Sequence, residues 1–211
     1  MSTGTDILDD VRDGISLTLA PLNVDQYRQM IRDGILRDGE PIELIQGTLV
    51  YKDRRDQSGG IMTHGGRHLN TLNRLTAILS RWVMGRTAFL QVQGPITLNH
   101  QSEPEPDCSL IAGRLDDFRE TIPHGTAVLA VFEVADSSLR MDRQTKQRIY
   151  SEASIPVYVI INLRDNIVEV YSTPSPNESS YATRTEFTRG ETIQIPMAEE
   201  GDLSLVVDEL L

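Results

Sequence analysis

Residues 128–138 read VLAVFEVADSS. From Val128 to Val134 the run is apolar on both parities except at Glu133, which predicts a strand covered on both faces. A bare carboxylate in such a place costs several kcal/mol unless something pairs with it. Glu133 therefore has a cationic partner, keeps its proton, or holds a metal ion.

The segments around this run set the fold class. Downstream, LRMDRQTKQRIYSEAS reads as a helix stopped near Pro156. VYVIINLRDNIVEVYS reads as a hairpin around Arg164-Asp165-Asn166, its first arm again apolar throughout. TPSPNESS, residues 173 to 180, is expected to be a surface loop. TRTEFTRGETIQIP suggests a further antiparallel pair turning at Gly190, and LSLVVDELL a strand followed by a helical turn. Upstream, DCSLIAG and AFLQVQGPITL read as strands, the second kinked at Gly94-Pro95. Leu69, Leu72, Leu75, Leu79, Trp82 and Val83 recur at helical spacing in the longest amphipathic helix, which Gly85 follows. PIELIQGTLVYK predicts two short strands bent at Gln46-Gly47, and LNVDQYRQMIRDG a short helix. Helices alternating with strands predict an α/β fold, a mixed central sheet flanked by helices. The acidic residues 1–15 read as a loose tail and residues 16–211 as a single domain, a size that 211 residues allow.

Bulk composition narrows the function. The chain is 39% hydrophobic and 24% charged, ordinary for a globular protein, and no apolar run approaches a membrane span. A start without a basic-then-apolar pattern and a single cysteine, Cys108, point to a cytoplasmic protein. Cys108 is expected to pack into the core. The net charge of -11 disfavours nucleic acid as a partner unless arginines cluster or a cation is bound. Only Lys52 and Lys146 are lysines among the 20 basic residues.

Three charged residues stand beside the apolar strands: Asp107 at the start of DCSLIAG, Glu133, and Lys146 on the following helix. Two carboxylates at neighbouring strand ends repel, so one takes a proton or a divalent cation sits between them. A lysine nearby suits orientation of an attacking water or stabilisation of developing negative charge. Glu43, between Ile42 and Leu44, could complete the cation's shell. Each has a plain alternative. Asp107 could start a strand, Lys146 could pair with Asp142 on an exposed helix face, and Glu43 could lie on a wet strand face. His64 and His68, four apart at the start of the long helix, are weak zinc ligands without a third.

PIELIQGTLVYK, MTHGGRHLNTLNRL, PEPDCSLI and AVFEVADSSLRMDRQTKQRIYSEASIPVYVIIN, in this order and spacing, resemble the Uma-two family of endonucleases in the restriction-endonuclease-like PD-(D/E)xK superfamily. The resemblance runs from about Leu22 to about Ser172. It implies a restriction-endonuclease-like core with a four-stranded mixed sheet and phosphodiester cleavage dependent on Mg²⁺ or Mn²⁺. It makes Asp107 the motif aspartate, Glu133 the second acid and Glu43 the early glutamate. Lys146 becomes the lysine, displaced onto the helix because Ala135 stands where the plainer pattern has it. Asp107, Glu133 and Glu43 would hold the metal, with the Val134 carbonyl as a further ligand. His64 and Tyr150 would support the site. Arg54, Arg55, Arg67 and Arg74 would contact phosphates. Gln46 stands where relatives commonly carry an acid. The implied substrate is nucleic acid, DNA favoured, and a homodimer would suit cutting two strands. Two rivals remain: a catalytically silent binding or assembly module that keeps the fold, and a hydrolase of small phosphate compounds.

Overall fold

The computed structural model describes residues 20–37, 39–52, 65–197 and 200–211. Residues 1–15, read as a tail, lie outside the described residues, as do Arg54, Arg55 and His64.

The chain opens with helix α1 (Val24–Arg32), whose Asn23 and Gln26 form a reciprocal capping box. A hairpin of β1 (Ile42–Ile45) and β2 (Thr48–Tyr51) follows. Gln46 and Gly47 both have positive φ, 48° and 76°, which fits a two-residue hairpin turn matched to strand twist. At Gly47 a Cβ would stand 2.4 Å from that of Pro21, so only glycine fits.

Helix α2 (Gly66–Val83) leads into the main sheet: β3 (Ala88–Val92), β4 (Cys108–Ala112), β5 (Val128–Ala135), β6 (Val157–Asn162), β7 (Ile167–Ser175) and β8 (Ser180–Phe187). The six strands lie in chain order, antiparallel except for the parallel pair β5–β6. The crossover between these two is α3, a helix in three continuous pieces, Leu139–Met141, π-helical Asp142–Lys146, and Gln147–Glu152. Strands β9 (Thr192–Ile195) and β10 (Leu203–Val206) pair with each other, and α4 (Val207–Leu210) ends the chain.

Side-chain parity along β5 divides the core. Ala130, Phe132 and Val134 face Leu72, Leu75, Leu79 and Trp82 of α2. Val131 and Ala135 face Leu139, Ile149 and Tyr150 of α3. A strand buried on both faces needs an apolar residue at every position, and β5 and β6 supply it everywhere except Glu133 and Asn162. Cys108 is fully buried on the α2 face, with Thr76 Oγ1 at 3.8 Å from its sulfur.

Three expectations need correction. The sheet has six strands, not four, because β3 and β8 extend it on either edge. The segment 173–180 is a tight β7–β8 connection, not a loop: β7 runs through Ser175, one 3₁₀ turn follows, and Ser179 in the left-handed region reverses the chain. The strands flanking Gly190 do not pair with each other. β8 joins β7 and β9 joins β10, because each finds an apolar partner face elsewhere in the core.

Candidate active site

Glu133 shares the parity of Val131 and Ala135, so its side chain points to the α3 face. Cys108 pairs with Phe132 across β4–β5, and continuing that antiparallel register puts Asp107 opposite Glu133. The backbone ties the two acids reciprocally. Val134 N–H donates to Asp107 Oδ2 at 2.8 Å, and Asp107 N–H to Glu133 Oε2 at 3.4 Å. Asp107 is 8% exposed and Glu133 5%.

The π-helical turn of α3 brings Lys146 over this pair. Gln147 N–H bonds the Asp142 carbonyl five residues back, and the Tyr158 hydroxyl donates to the same oxygen at 3.2 Å. Such turns are rare and concentrate at functional sites. Lys146 Nζ stands 2.9 Å from Glu133 Oε1 and 3.3 Å from Glu43 Oε1. One helical turn on, the Tyr150 hydroxyl donates to Glu133 Oε1 at 3.0 Å.

Glu43 reaches the site from β1. Glu103 N–H donates to the Leu44 carbonyl at 2.8 Å, joining the hairpin to the segment before β4, and Glu105 N–H donates to Glu43 Oε1 at 2.8 Å. Lys52 pairs with Glu105 at 2.6 Å. Arg148 of α3 donates to Gln46 Oε1 at 2.6 Å and pins the hairpin tip to the helix.

The structure thus brings Glu43, Asp107, Glu133, Lys146 and Tyr150 together. Two further residues belong to the site. His68 Nε2 lies 3.7 Å from Asp107 Oδ1. Asp142, 2% exposed, accepts from the Ser138 hydroxyl at 2.6 Å. Asp142 is not the surface partner of Lys146 that its i, i+4 spacing suggests, because the ammonium turns inward to Glu133 and Glu43. Arg67 and Arg74 lie on α2. Arg67 donates to the Leu163 carbonyl and Asn166 Oδ1, and Arg74 to Asn70 Oδ1.

Four carboxyl groups around one ammonium carry surplus negative charge, and burial sharpens the conflict. Burial pushes Glu133 up; Lys146 pulls it back, but Asp107, Asp142 and Glu43 push it further, to about 8. Burial likewise raises Asp142 to about 6, against Lys146 and the Ser138 hydroxyl. Asp107 goes the other way: burial raises it, but the His68 ring, the Val134 N–H and Lys146 together hold it below the usual carboxylate range. Burial would lower Lys146, yet Glu133, Glu43 and Asp142 hold it well above its ordinary value. The site therefore offers one firmly ionised carboxylate, one that retains a proton near neutrality, and a permanent ammonium.

A pH profile checks this arrangement. Glu133 titrates in the folded state near 8 and in the unfolded chain near 4.3, so the folded state holds the extra proton between them. Stability should fall as pH rises across that window. Glu133→Gln should flatten the part above pH 7, where Asp142 contributes little. Melting temperatures of both proteins from pH 5 to 9 read the effect, and parallel profiles above pH 7 would contradict it.

The donor set bears on the metal that the resemblance implies. Among the described residues no three His, Cys, Asp or Glu side chains are arranged to hold a metal ion. Magnesium, however, takes one or two carboxylates and keeps several waters. Asp107 and Glu133 meet that need, and the buried Glu43 Oε2, which has no hydrogen-bond partner, marks surplus acceptor capacity beside them.

A sequence profile described as "Uma2: Putative restriction endonuclease" matches residues 24–208. The chain belongs to the Uma2 family. Its fold is also similar to the crystal structure titled "a putative nuclease belonging to DUF820" from Anabaena variabilis ATCC 29413. The TM-score is 0.66 and the identity 17%, over 90% of this chain and 97% of that one. At that identity the likeness carries the restriction-endonuclease-like fold and nothing finer. A comparison with curated proteins finds no match. In this Uma2 protein Glu133 sits near the carboxyl end of β5 and Asp107 just before β4, with Glu43 and Lys146 reaching them from β1 and α3. No described helix is long and apolar enough to cross a membrane.

Proposed function

We propose that this protein is a metal-dependent nuclease that hydrolyses phosphodiester bonds in nucleic acid, DNA before RNA. The observation that carries the reading is the buried ammonium of Lys146 set 2.9 Å from Glu133, beside an ionised Asp107 on the neighbouring strand.

Asp107 and Glu133 would hold a Mg²⁺ or Mn²⁺ ion. When bound, that ion supplies charge neutralisation at the phosphoryl group and a water acidic enough to attack phosphorus. Asp107 is ready for a cation at neutral pH, whereas Glu133 must first release its proton, so cation binding should be tighter above pH 7. Lys146 stays protonated and so acts as a fixed positive charge towards the phosphoryl oxygens, not as a base. Tyr150 and Glu43 hold Glu133 and Lys146 in place through their hydrogen bonds. His68 steadies Asp107.

The silent-module alternative draws support from the net charge of -11 and from the lack of a three-ligand set among the described residues. Cleavage assays separate the readings. Purified protein should cut duplex or single-stranded DNA with Mg²⁺ or Mn²⁺ and stop in EDTA, and Asp107→Ala should lose at least about 10²-fold in rate. Hydrolysis of a small nucleotide ester without DNA cleavage would favour a small-substrate enzyme. No turnover with either metal would favour the silent module.

A further inference from the structure

Helix α2 carries arginines at positions 67, 74 and 81 and no aspartate or glutamate anywhere in its 18 residues. In a chain of net charge -11 this is a marked segregation of sign. Seven-residue spacing is close to two helical turns, so the three arginines fall in one stripe, about 10.5 Å apart and about 21 Å end to end. All three are exposed, and among the described residues none of them has an ion-pair partner. Asn70 and Ala77 lie between them on the same face and add no charge. Arg74 and Arg81 border a hollow of about 260 Å³ over Ala77 and Ile78. Glu209 also borders it, but it meets Arg74 through its backbone carbonyl, at 3.4 Å.

The upper end of the stripe adjoins the acid site. His68, next to Arg67, contacts Asp107. Arg67 itself is anchored on the β6–β7 turn by Leu163 O at 3.1 Å and Asn166 Oδ1 at 3.0 Å. That turn also presents Arg164, exposed and, among the described residues, without an ion-pair partner. Arg164 on the turn and three arginines down the outer face of one helix thus form a row that starts beside the acid site.

We infer that this stripe is a track for the sugar-phosphate backbone of the nucleic acid, leading its strand to or from the acids. The inference rests on the nuclease reading for what happens at the acids, and on charge geometry alone for the track. Phosphates along a strand rise by about 3.4 Å, so a 21 Å stripe spans about six nucleotides, with an arginine roughly every third phosphate. Guanidinium groups suit the task because their planar forks bind phosphate oxygens in pairs. Local clustering of this kind removes the objection that net charge raises, since phosphates respond to charge within about a Debye length, not to the molecular total.

The test is binding of fluorescent 20-nucleotide single-stranded and duplex DNA to the full chain in EDTA, at several salt concentrations. Arg74→Ala/Arg81→Ala lies away from the acids and alters only exposed side chains. It should reduce the slope of log affinity against log salt by about 1.4 for single strands or about 1.8 for duplex. Arg74→Glu/Arg81→Glu should weaken binding at least about tenfold at 0.1 M salt, with melting temperature confirming the fold. Equal binding and slope in wild type and both variants would overturn the track, whatever the cleavage assay gives. Binding to phosphatidylserine vesicles with none to DNA would overturn it in favour of a membrane surface. Stripe-dependent DNA binding by a wild type that never cuts would uphold the track and sink the nuclease reading instead.

Discussion

Lys146→Met should lower phosphodiester cleavage by about 10²–10³-fold, the usual loss when one preorganised charge at a reacting centre is removed. Methionine nearly matches the length of the stem and fills the same space, so the loss reports the ammonium. The substitution leaves Glu133, Glu43 and Asp142 without their common counter-charge, which raises the proton affinity of Glu133 further. It also removes a positive charge that repels a divalent cation. Once the pH is high enough to deprotonate Glu133 in the variant, Mg²⁺ should therefore still bind it, as tightly as the wild type or more so. Retained cation binding with lost cleavage would mark Lys146 as acting on the phosphoryl group. An unchanged rate would remove it from the chemistry.

The second large effect belongs to Glu169 of β7, and it concerns stability. Its carboxylate is fully buried and accepts hydrogen bonds from Arg143 (2.7 and 3.0 Å), Arg184 (2.9 Å), the Tyr171 hydroxyl (2.8 Å) and Asn162 (3.0 Å). Burial alone would raise its pKa, but Arg143, Arg184, Tyr171 and Asn162 hold it below the usual value. Arg143 belongs to the same π-helical turn as Lys146, so this cluster fastens the turn to the sheet. Breaking a buried ion pair typically costs about 3–5 kcal/mol. Arg143 and Arg184 are a third or more exposed and can turn to water, so about 2–4 kcal/mol is expected for Glu169→Gln at pH 7. A depressed folded pKa stabilises above the unfolded value, near 4.3, and the benefit fades as pH falls through the folded one. Urea denaturation should show the gap between the two proteins closing below pH 4. A gap under about 0.5 kcal/mol at pH 7 would mean that the arginines are not held by Glu169.

What the sequence disclosed and what it hid follow from the range of each signal. A run apolar on both parities marks a doubly covered strand, so β5 and β6 were readable, and one acid within such a run stood out at Glu133. Lys146 was harder, because a lysine four residues after an aspartate has the same local pattern whether it faces water or the core. Its direction depends on a π-helical turn, and nothing in DRQTK announces one. Glu169 carries the same signal as Glu43, an acid among apolar strand residues, but alternation is also what a half-wet strand shows, so parity alone does not separate them. Asp142 reads as a helix-surface acid until the fold buries it. The pairing of β8 with β7 and of β9 with β10 escaped local reading because hairpin signals at Gly190 do not say which apolar face lies closest in space. The arginine stripe was half visible: Arg67 and Arg74 stood near the histidines, while Arg81 joins them only once the helix fixes a seven-residue period.

The central claim is that Asp107 and Glu133, with Lys146 above them, form a pocket for one divalent cation. Isothermal titration of Mg²⁺ into the full chain at pH 8 tests it most directly. One site per chain, lost in Asp107→Ala and weakened at pH 6 by the proton on Glu133, is the predicted result. No heat at millimolar Mg²⁺ or Mn²⁺, or equal binding by wild type and Asp107→Ala, would contradict it.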